Sequence, residues 1–404
     1  MKAKVLIGGE FRLVRSLAKP FAQFTMNRSS FNYLMAAVLG WALACPALAE
    51  NKVAADLSPT KENPRKSEGD FIQLKSGRIL FFYTEFYGGK GDHSPAHIVS
   101  IHSDDKGETW SQTPEVIVKN AGEMNVMSVS LLRLKSGRIA FFYIIKNGLH
   151  DSRPWVQFSD DEAQTWTKPT LVVDAPGYFV LNNDRVIQLQ TGRLVVPVAY
   201  HRMKAKSLSN KSPFDGRAVA LWYLSDDEGK TWVESDTWWA LPMVTKTGLQ
   251  EPGVVELADG SLFSWARTDQ LYQYGCVSTD AGRTWSAPEP TTLRSPVSPA
   301  TIERIPGSTD LLAVFNDHSG QFPHPGEGKR APLVAAISKD GGKTWPHRKL
   351  IEDDPNGWFC YTAMEFVEDA VLLGYCAGNM SDKSVGGLNR TRIRKVKLDW
   401  LRRE

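Results

Sequence analysis

The sequence predicts an all-β fold, a six-bladed β-propeller with four-stranded antiparallel blades. The first observation behind this prediction is an eight-residue phrase that recurs every 53 to 66 residues. A repeat of this period is typical of folds that stack one structural unit many times. Its five copies are SDDKGETW, SDDEAQTW, SDDEGKTW, STDAGRTW and SKDGGKTW, which start at Ser103, Ser159, Ser225, Ser278 and Ser338.

A second repeat, a turn followed by an alternating apolar run, is interleaved with the first. Gly or Asp between short runs of β-forming residues predicts a hairpin. Six hairpins, five of them followed by the eight-residue phrase, predict six blades, which a propeller arranges so that only short edges are exposed. The clear copies are LKSGRILFFY, LKSGRIAFFY, LQTGRLVVPV and LADGSLFSWA, from Leu74, Leu134, Leu189 and Leu257, and looser copies start at Pro306 and Val367.

The C-terminal segment RIRKVKLDWL, residues 392–401, predicts a last strand that completes a blade begun near the N-terminus. No linker or low-complexity segment interrupts residues 60–400, and no stretch has a clear amphipathic helical period. We therefore expect a single propeller domain over residues 50–404.

The eight-residue phrase has a structural explanation that involves no chemistry. Its Asp and its Ser or Thr can hydrogen-bond the backbone of the turn, its Gly can adopt a positive φ, and its Trp can pack beneath the turn. The second copy has Ala163 at the Gly position, which costs about 1 kcal/mol if that residue is left-handed. The phrase therefore predicts a turn and, alone, no activity.

Residues 1–49 predict an export signal, and hence a periplasmic or secreted protein. A basic stretch ends at Arg28, an apolar run follows from Tyr33 to Ala44, and Ala47-Leu48-Ala49 precedes Glu50. The apolar run is too short to span a bilayer, so no membrane span is expected.

Two alternatives to this leader remain open at the sequence level. Met26 is a second candidate start, because residues 26–49 already form a signal of ordinary length. Lipid anchoring at Cys45 is the weaker alternative, because Ala42 stands where lipoprotein signals usually have Leu.

Charge and cysteine content exclude several classes of function. The leader holds six of the 48 basic residues and one of the 45 acidic residues, so the rest of the chain has no basic field suited to nucleic acid. Cys276, Cys360 and Cys376 lack a metal-type spacing. One disulfide and unpaired core cysteines are both compatible with the sequence, and no metal or organic cofactor is expected. The sequence is silent on oligomeric state.

The eight-residue phrases are identified as Asp-boxes, and residues 60–400 resemble a six-bladed propeller of the sialidase (neuraminidase) superfamily. Asp-boxes also occur in non-catalytic propellers, so catalytic residues have to be sought separately. The resemblance implies three arginines that bind the substrate carboxylate, through bidentate and charge-assisted bonds. It also implies an Asp acid/base and a Tyr nucleophile activated by Glu, because a carboxylate nucleophile would be repelled by the acidic sugar.

The family's Glu-to-Arg segment is matched by QEPGVVELADGSLFSWAR, which places Glu251 and Arg267 on the two strands of one hairpin. The first arginine is matched by Arg65 in NPRKSEGDF, before the first hairpin. Here the chain departs from the family's Arg-Ile-Pro motif, because Lys66 and Ser67 stand in place of Ile and Pro. Glu68 and Asp70 add two acidic groups nearby.

The remaining residues follow in the family's order. Asp92, in the Gly-rich loop FYGGKGDHSPAH, stands where the family has its acid/base Asp; the adjacent His93 and His97 are expected to be loop residues. Arg330 lies on the strand that enters the fifth Asp-box, and Tyr361 in GWFCYTAMEF follows that box.

The sequence thus predicts a retaining exo-α-sialidase. Arg65, Arg267 and Arg330 would bind the carboxylate, while Tyr361 with Glu251 would attack and Asp92 would act as acid and base. One alternative is a glycosidase or lyase of the same superfamily acting on another acidic sugar, such as a uronate glycan. Another is a non-catalytic carbohydrate-binding propeller. Linkage preference and the choice between hydrolysis and an intramolecular or transfer product stay open.

Overall fold

The computed structural model describes residues 50–204, 213–381 and 386–403. The predicted leader therefore lies outside the described residues. Within them the regular structure is almost entirely β, and none of the helices found there is long and apolar enough to cross a membrane. In chain order the elements are β1 (Asn51–Leu57), β2 (Arg65–Gln73), β3 (Ile79–Phe86), β4 (Ala96–Ser103), β5 (Glu115–Val118), β6 (Asn125–Arg133), β7 (Ile139–Gly148), β8 (Asp151–Ser159), β9 (Thr170–Leu171), β10 (Tyr178–Val180), β11 (Ile187–Gln188), β12 (Leu194–Met203), β13 (Phe214–Ser225), β14 (Val233–Glu234), β15 (Gln250–Glu256), β16 (Leu262–Arg267), β17 (Tyr272–Ser278), β18 (Glu289–Arg294), β19 (Thr301–Arg304), β20 (Leu311–Asn316), β21 (Leu333–Ser338), β22 (His347–Glu352), β23 (Gly357–Val367), β24 (Ala370–Asn379), β25 (Thr391–Lys397) and the short helix α1 (Leu398–Arg402).

Most strands are grouped into antiparallel sheets of four. The strands β2 to β5, β15 to β18 and β19 to β22 each form one such sheet, in chain order. The fourth has the order β1-β25-β24-β23, so the N-terminal strand pairs with the last strand. This pairing confirms that the C-terminal strand completes a blade begun at the N-terminus.

The last strand is shorter than the sequence predicts. Strand β25 ends at Lys397, and residues 398–402 form α1. Leu398 and Leu401 of this helical turn are buried against the neighbouring sheet. Their spacing suits one apolar helical face, which the short pattern could not distinguish from a strand.

Strands β6 to β14 form a single nine-stranded sheet instead of two separate sheets of four. The bridge is β10, in which Tyr178 pairs in parallel with Ser152 of β8 and antiparallel with His201 of β12. Each half of this sheet carries one Asp-box before its outermost strand. The join brings the ends of β8 and β12 close together at the rim of the central space.

Successive sheets contact one another in a closed ring. Strand β2 contacts β6 of the nine-stranded sheet and β23 of the last sheet, β15 contacts β12 of the nine-stranded sheet and β19, and β19 contacts β23. The arrangement is that of a β-propeller, whose inner strands surround a central space. Apolar layers lie between neighbouring sheets; one of them packs Phe81 and Trp110 of the first sheet against Leu372 and Ile393 of the last. Burial of this layer supplies the main attraction between the two ends of the chain.

The Asp-boxes adopt the turn that the sequence predicts. In the first copy Ser103 Oγ accepts from Gly107 N at 2.8 Å, and Asp105 accepts from Thr109 N at 2.9 Å and from Thr109 Oγ1 at 2.6 Å. Burial opposes the charged carboxylate, but these bonds outweigh it and lower the pKa of Asp105 to about 2. Ala163 has φ of 66°, which confirms the left-handed position expected for the second copy.

Candidate active site

Four inner strands direct one residue each into the same cavity by the same device, a β-bulge. The register of β2, β6, β15 and β23 shifts near Glu68, Ser128, Glu251 and Tyr361. These residues have φ of 56°, 61°, 50° and 57°, a left-handed conformation that costs about 1–2 kcal/mol in a residue with a Cβ. All four line a cavity of about 330 Å³. Strained residues of this kind cluster at functional sites.

Tyr361 and Glu251 form a hydrogen-bonded pair at the centre of this cavity. Tyr361 Oη donates to Glu251 Oε1 at 3.0 Å, and Arg267 Nη1 donates to both Glu251 oxygens at 2.8 Å. Burial alone would raise the pKa of Glu251, but the charges of Arg267 and Arg330 outweigh it and lower that pKa. Burial and the Glu251 charge raise the pKa of Tyr361 well above its ordinary value. The pair is therefore a neutral phenol beside an ionised acceptor.

Two arginines in the cavity have unused donors. Arg330 is 7% exposed, and among the described residues its Nε and Nη1 have no hydrogen-bond partner. Its guanidinium carbon lies 5.4 Å from the ring centroid of Tyr361 and 5.0 Å from that of Trp358. Arg267 Nε is likewise without a partner in the described part of the chain. Buried donors left unpaired are costly, so this wall of the cavity is suited to an anion.

Arg65 differs from these two arginines, because its guanidinium already pairs with two carboxylates of the protein. Its Nη1 donates to Asp92 Oδ1 at 2.5 Å and its Nη2 to Glu68 Oε1 at 2.6 Å. Glu68 Oε2 accepts in turn from Ser128 Oγ at 2.6 Å. Partial removal from water would raise the pKa of Asp92, but the charge and hydrogen bond of Arg65 outweigh this effect and lower that pKa below its ordinary value. The guanidinium is thus neutralised in the free protein.

The Asp92 loop is held from the neighbouring blade. Asn125 Nδ2 donates to the carbonyls of Asp92 and Ser94, each at 2.9 Å, and Lys146 Nζ donates to the Asp92 carbonyl at 2.9 Å. Burial lowers the pKa of Lys146 to about 8, although Asp92 and Glu68 favour its charged form. The Asp92 side chain itself stays 62% exposed. The backbone of Asp92 is thereby fixed, while its carboxylate contacts both Arg65 and solvent.

Much of the remaining lining of the cavity is apolar. Trp358 and Phe214 line it together with polar Asn182 and His201. The remaining apolar lining residues are Met127, Ile144, Tyr178, Val180 and Leu388. A bound molecule would therefore meet apolar side chains as well as charged ones.

Five of the six residues predicted from the sequence line this one cavity, and the sixth, Arg65, contacts two of its lining residues. His97 instead pairs with Glu85, at 3.0 Å from Nε2 to Oε2. Sequence reasoning noted Glu68 only as a departure and missed Lys146. No signal in the sequence marks Lys146, because its approach to Asp92 depends on the packing of one blade against another.

A larger cavity, of about 860 Å³, is lined by positions further along the inner strands. It holds the acidic residues Asp70, Asp184, Glu303 and Glu365. None of the six predicted residues lies in it. Within the described residues there is no group of three His, Cys, Asp or Glu side chains arranged to hold a metal ion.

Comparisons with known proteins find a family model and several similar proteins. The family model for the BNR repeat-like domain matches residues 113–373. The chain is 23% identical over 401 residues to a sialidase of Micromonospora viridifaciens, covering 86% of this chain and 58% of that protein. It is 26% identical over 246 residues to a sialidase of Clostridium perfringens, covering 54% of this chain and 59% of that protein. The chain therefore spans less than two thirds of these relatives.

A solved structure has the same fold. The intramolecular trans-sialidase of Ruminococcus gnavus superposes with a TM-score of 0.66 at 16% identity, over 87% of this chain and 98% of that one. At this identity the similarity concerns the fold alone.

Proposed function

The chain belongs to the family of BNR repeat-like domains, within the sialidase superfamily, and from this we propose that it is a retaining exo-α-sialidase. It would release terminal sialic acids from glycoconjugates. The export signal that the sequence predicts in residues 1–49 would place this activity outside the cytoplasm.

The observation that carries this proposal is the contact between Tyr361 and Glu251 beside the open donors of Arg330. A phenol whose proton has an ionised acceptor at 3.0 Å is prepared for nucleophilic attack. Unpaired guanidinium donors next to it would hold an acidic sugar with its anomeric carbon near the phenol oxygen. A lectin needs the arginines but has no use for the activated phenol, which argues against a binding-only propeller.

In the first step Tyr361 Oη would attack the anomeric carbon while its proton passes to Glu251. The bond to the leaving oxygen breaks at the same time, and protonated Asp92 supplies the proton to that oxygen. In the second step Asp92 takes a proton from water, the hydroxide attacks the anomeric carbon, and the Tyr361 phenolate leaves and recovers its proton from Glu251. Two inversions give net retention.

Asp92 enters this sequence only after it leaves Arg65. A substrate carboxylate that reaches Arg65 competes with Asp92 for the same Nη1 donor. Separation from the guanidinium would raise the pKa of Asp92 toward the ordinary value of a carboxyl and allow protonation. Binding of the acidic sugar would thus allow Asp92 to become protonated.

A second candidate function is hydrolysis of another acidic sugar, such as a uronate. The observation that favours it is the occupation of Arg65 by Glu68 at 2.6 Å. This contact leaves Arg267 and Arg330 as the arginines with unused donors in the cavity. Two arginines can bind the carboxylate of any acidic sugar. The resemblance to sialidases implies that three arginines bind it.

The test is hydrolysis of a fluorogenic aryl α-sialoside and an aryl β-glucuronide by the full chain. We expect turnover of the sialoside, and a loss of at least about 10³-fold in kcat for Tyr361→Phe, which removes the nucleophile. Tyr274→Phe, outside the cavity, is the matched control and should keep full activity. Turnover of the glucuronide alone would favour the second candidate. A correctly folded chain that binds glycans on an array but hydrolyses neither compound would exclude both.

A further inference from the structure

Two buried thiols face each other next to Tyr361. Cys360 on β23 and Cys376 on β24 are direct partners in antiparallel register. Each is 1% exposed, and both are free thiols. Directly opposed residues of an antiparallel pair project on the same side of the sheet. The two sulfur atoms are therefore neighbours.

The backbone at this position is compatible with a covalent bond between the two side chains. Directly opposed residues have Cα atoms about 4.5–5.5 Å apart, and disulfides span Cα separations of about 4.4–6.8 Å. The bulge between Cys360 and Ala363 also interrupts the ladder immediately after the first cysteine. The third cysteine of the described residues, Cys276, stands opposite Ser264 in another sheet.

The surroundings of the two thiols are unequal. Burial alone would raise the pKa of Cys360, but the Cys376 hydrogen bond and the Arg330 charge outweigh it and lower that pKa. Burial raises the pKa of Cys376 well above its ordinary value. These pKa shifts belong to the folded protein, so they do not decide which of the two thiols reacts first while the strands are still pairing.

From this juxtaposition we propose that Cys360 and Cys376 are a modification site, at which a low-molecular-weight disulfide such as oxidised glutathione joins them. One of the two cysteines, as its thiolate, attacks one sulfur of oxidised glutathione, forming a mixed disulfide and releasing one glutathione thiolate. The other cysteine gives its proton to that thiolate and attacks the protein sulfur of the mixed disulfide, which releases the second glutathione. Two protein thiols are oxidised by two electrons, and one glutathione disulfide is reduced to two thiols.

Both side chains are buried in the folded protein, so the exchange takes place while β23 and β24 are still pairing. The resulting bond would tie the strand that carries Tyr361 to its neighbour. It would therefore constrain the strand on which the proposed nucleophile lies.

The test is refolding of the full chain in glutathione buffers of defined ratio, followed by alkylation, digestion without reduction and mass spectrometry. We expect a linked peptide pair containing Cys360 and Cys376, whose fraction increases with oxidised glutathione, while Cys276 is alkylated throughout. The linked form should unfold at a midpoint higher by on the order of 4 °C, because the crosslink constrains the unfolded chain. Alkylation of both Cys360 and Cys376 at every ratio would overturn the proposal.

Cys276→Ser is the matched control and should retain both the linked pair and the thermal shift. Cys376→Ser should lose both. If Cys376→Ser does not fold, the oxidised and reduced forms of Cys276→Ser still decide the question, since equal midpoints and no linked pair would contradict it. None of these measurements requires turnover, so their outcome is independent of the proposed enzymatic function.

Discussion

Arg65 Nη1 lies 2.5 Å from Asp92 Oδ1, so the arginine expected to bind the substrate is paired with the carboxylate expected to protonate the leaving group. The pair lowers the pKa of this exposed loop carboxylate below its ordinary value. In the proposed mechanism, acid catalysis by Asp92 therefore depends on opening the ion pair. The proposed role of Asp92 can be tested with substrates whose leaving groups need protonation to different degrees.

We predict that Asp92→Ala affects substrates according to their leaving groups. For a sialylated disaccharide, whose leaving alcohol must be protonated, kcat/KM should fall by about 10²–10⁴-fold, the usual contribution of general acid catalysis. For an aryl sialoside with an acidic phenol the loss should be at least about tenfold smaller, because that phenol leaves without a proton. The measurement is kcat/KM on both compounds, with His93→Gln as the control. Equal losses on the two substrates would remove Asp92 from the acid role.

Glu68→Gln is predicted to strengthen the binding of anionic sugars. Glu68 contacts both Arg65 and Ser128, and its charge lies in the cavity where a substrate carboxylate would enter. Glutamine keeps the shape and removes the repulsion, which should lower the dissociation constant of a sialic-acid analogue by on the order of tenfold. Titration calorimetry would measure it. Ser128→Ala, which removes a contact but no charge, is the control, and a similar gain in both variants would refute the electrostatic explanation.

The positions of the six site residues could be predicted from the sequence because each is tied to a local landmark. Tyr361 and Arg330 flank the fifth Asp-box, and Glu251 and Arg267 flank one hairpin, so the repeat register determines the blade of each. Hairpins and boxes are local features that depend on turn chemistry and alternation.

The geometry within the site could not be predicted in the same way. A period of two assigns strand residues to faces, but a bulge shifts that assignment by one, as it does at Glu68 and Ser128. The Lys146 contact with the Asp92 carbonyl joins two blades, and such contacts depend on tertiary packing. The bridge made by the three-residue strand β10 is likewise too short to produce a pattern.

Two substitutions in the Asp-boxes are predicted to act in opposite directions. Ala163→Gly should stabilise the protein by about 1 kcal/mol, because Ala163 has φ of 66° and glycine adopts that conformation without steric cost. Gly107→Ala should destabilise it, because a Cβ there would lie 2.6 Å from Leu372 Cδ2 in the adjacent sheet. Denaturant unfolding of the two variants beside the unmodified chain measures both. A stabilising Gly107→Ala would contradict the tight packing of the first box against β24.

Glu365 is predicted to make stability fall as pH rises. Burial, reinforced by the nearby Asp184 charge, raises the pKa of Glu365 to about 7. In the unfolded chain the group would titrate near 4.5, so between these values the folded state holds a proton that the unfolded state has lost. Its contribution to stability is therefore complete below about pH 4.5 and is lost as pH rises through about 7, with a total change of about 1–3 kcal/mol.

Glu365→Gln keeps the hydrogen-bonding shape and cannot ionise, so its stability relative to the unmodified chain should increase from about pH 5 to about pH 8. Glu368→Gln, on the same hairpin but exposed, is the matched control and should show no such trend. Denaturant unfolding at the two pH values gives the measurement. A difference between Glu365→Gln and the unmodified chain that stays constant with pH would show that Glu365 is ionised in the folded protein at both values, and would contradict the prediction.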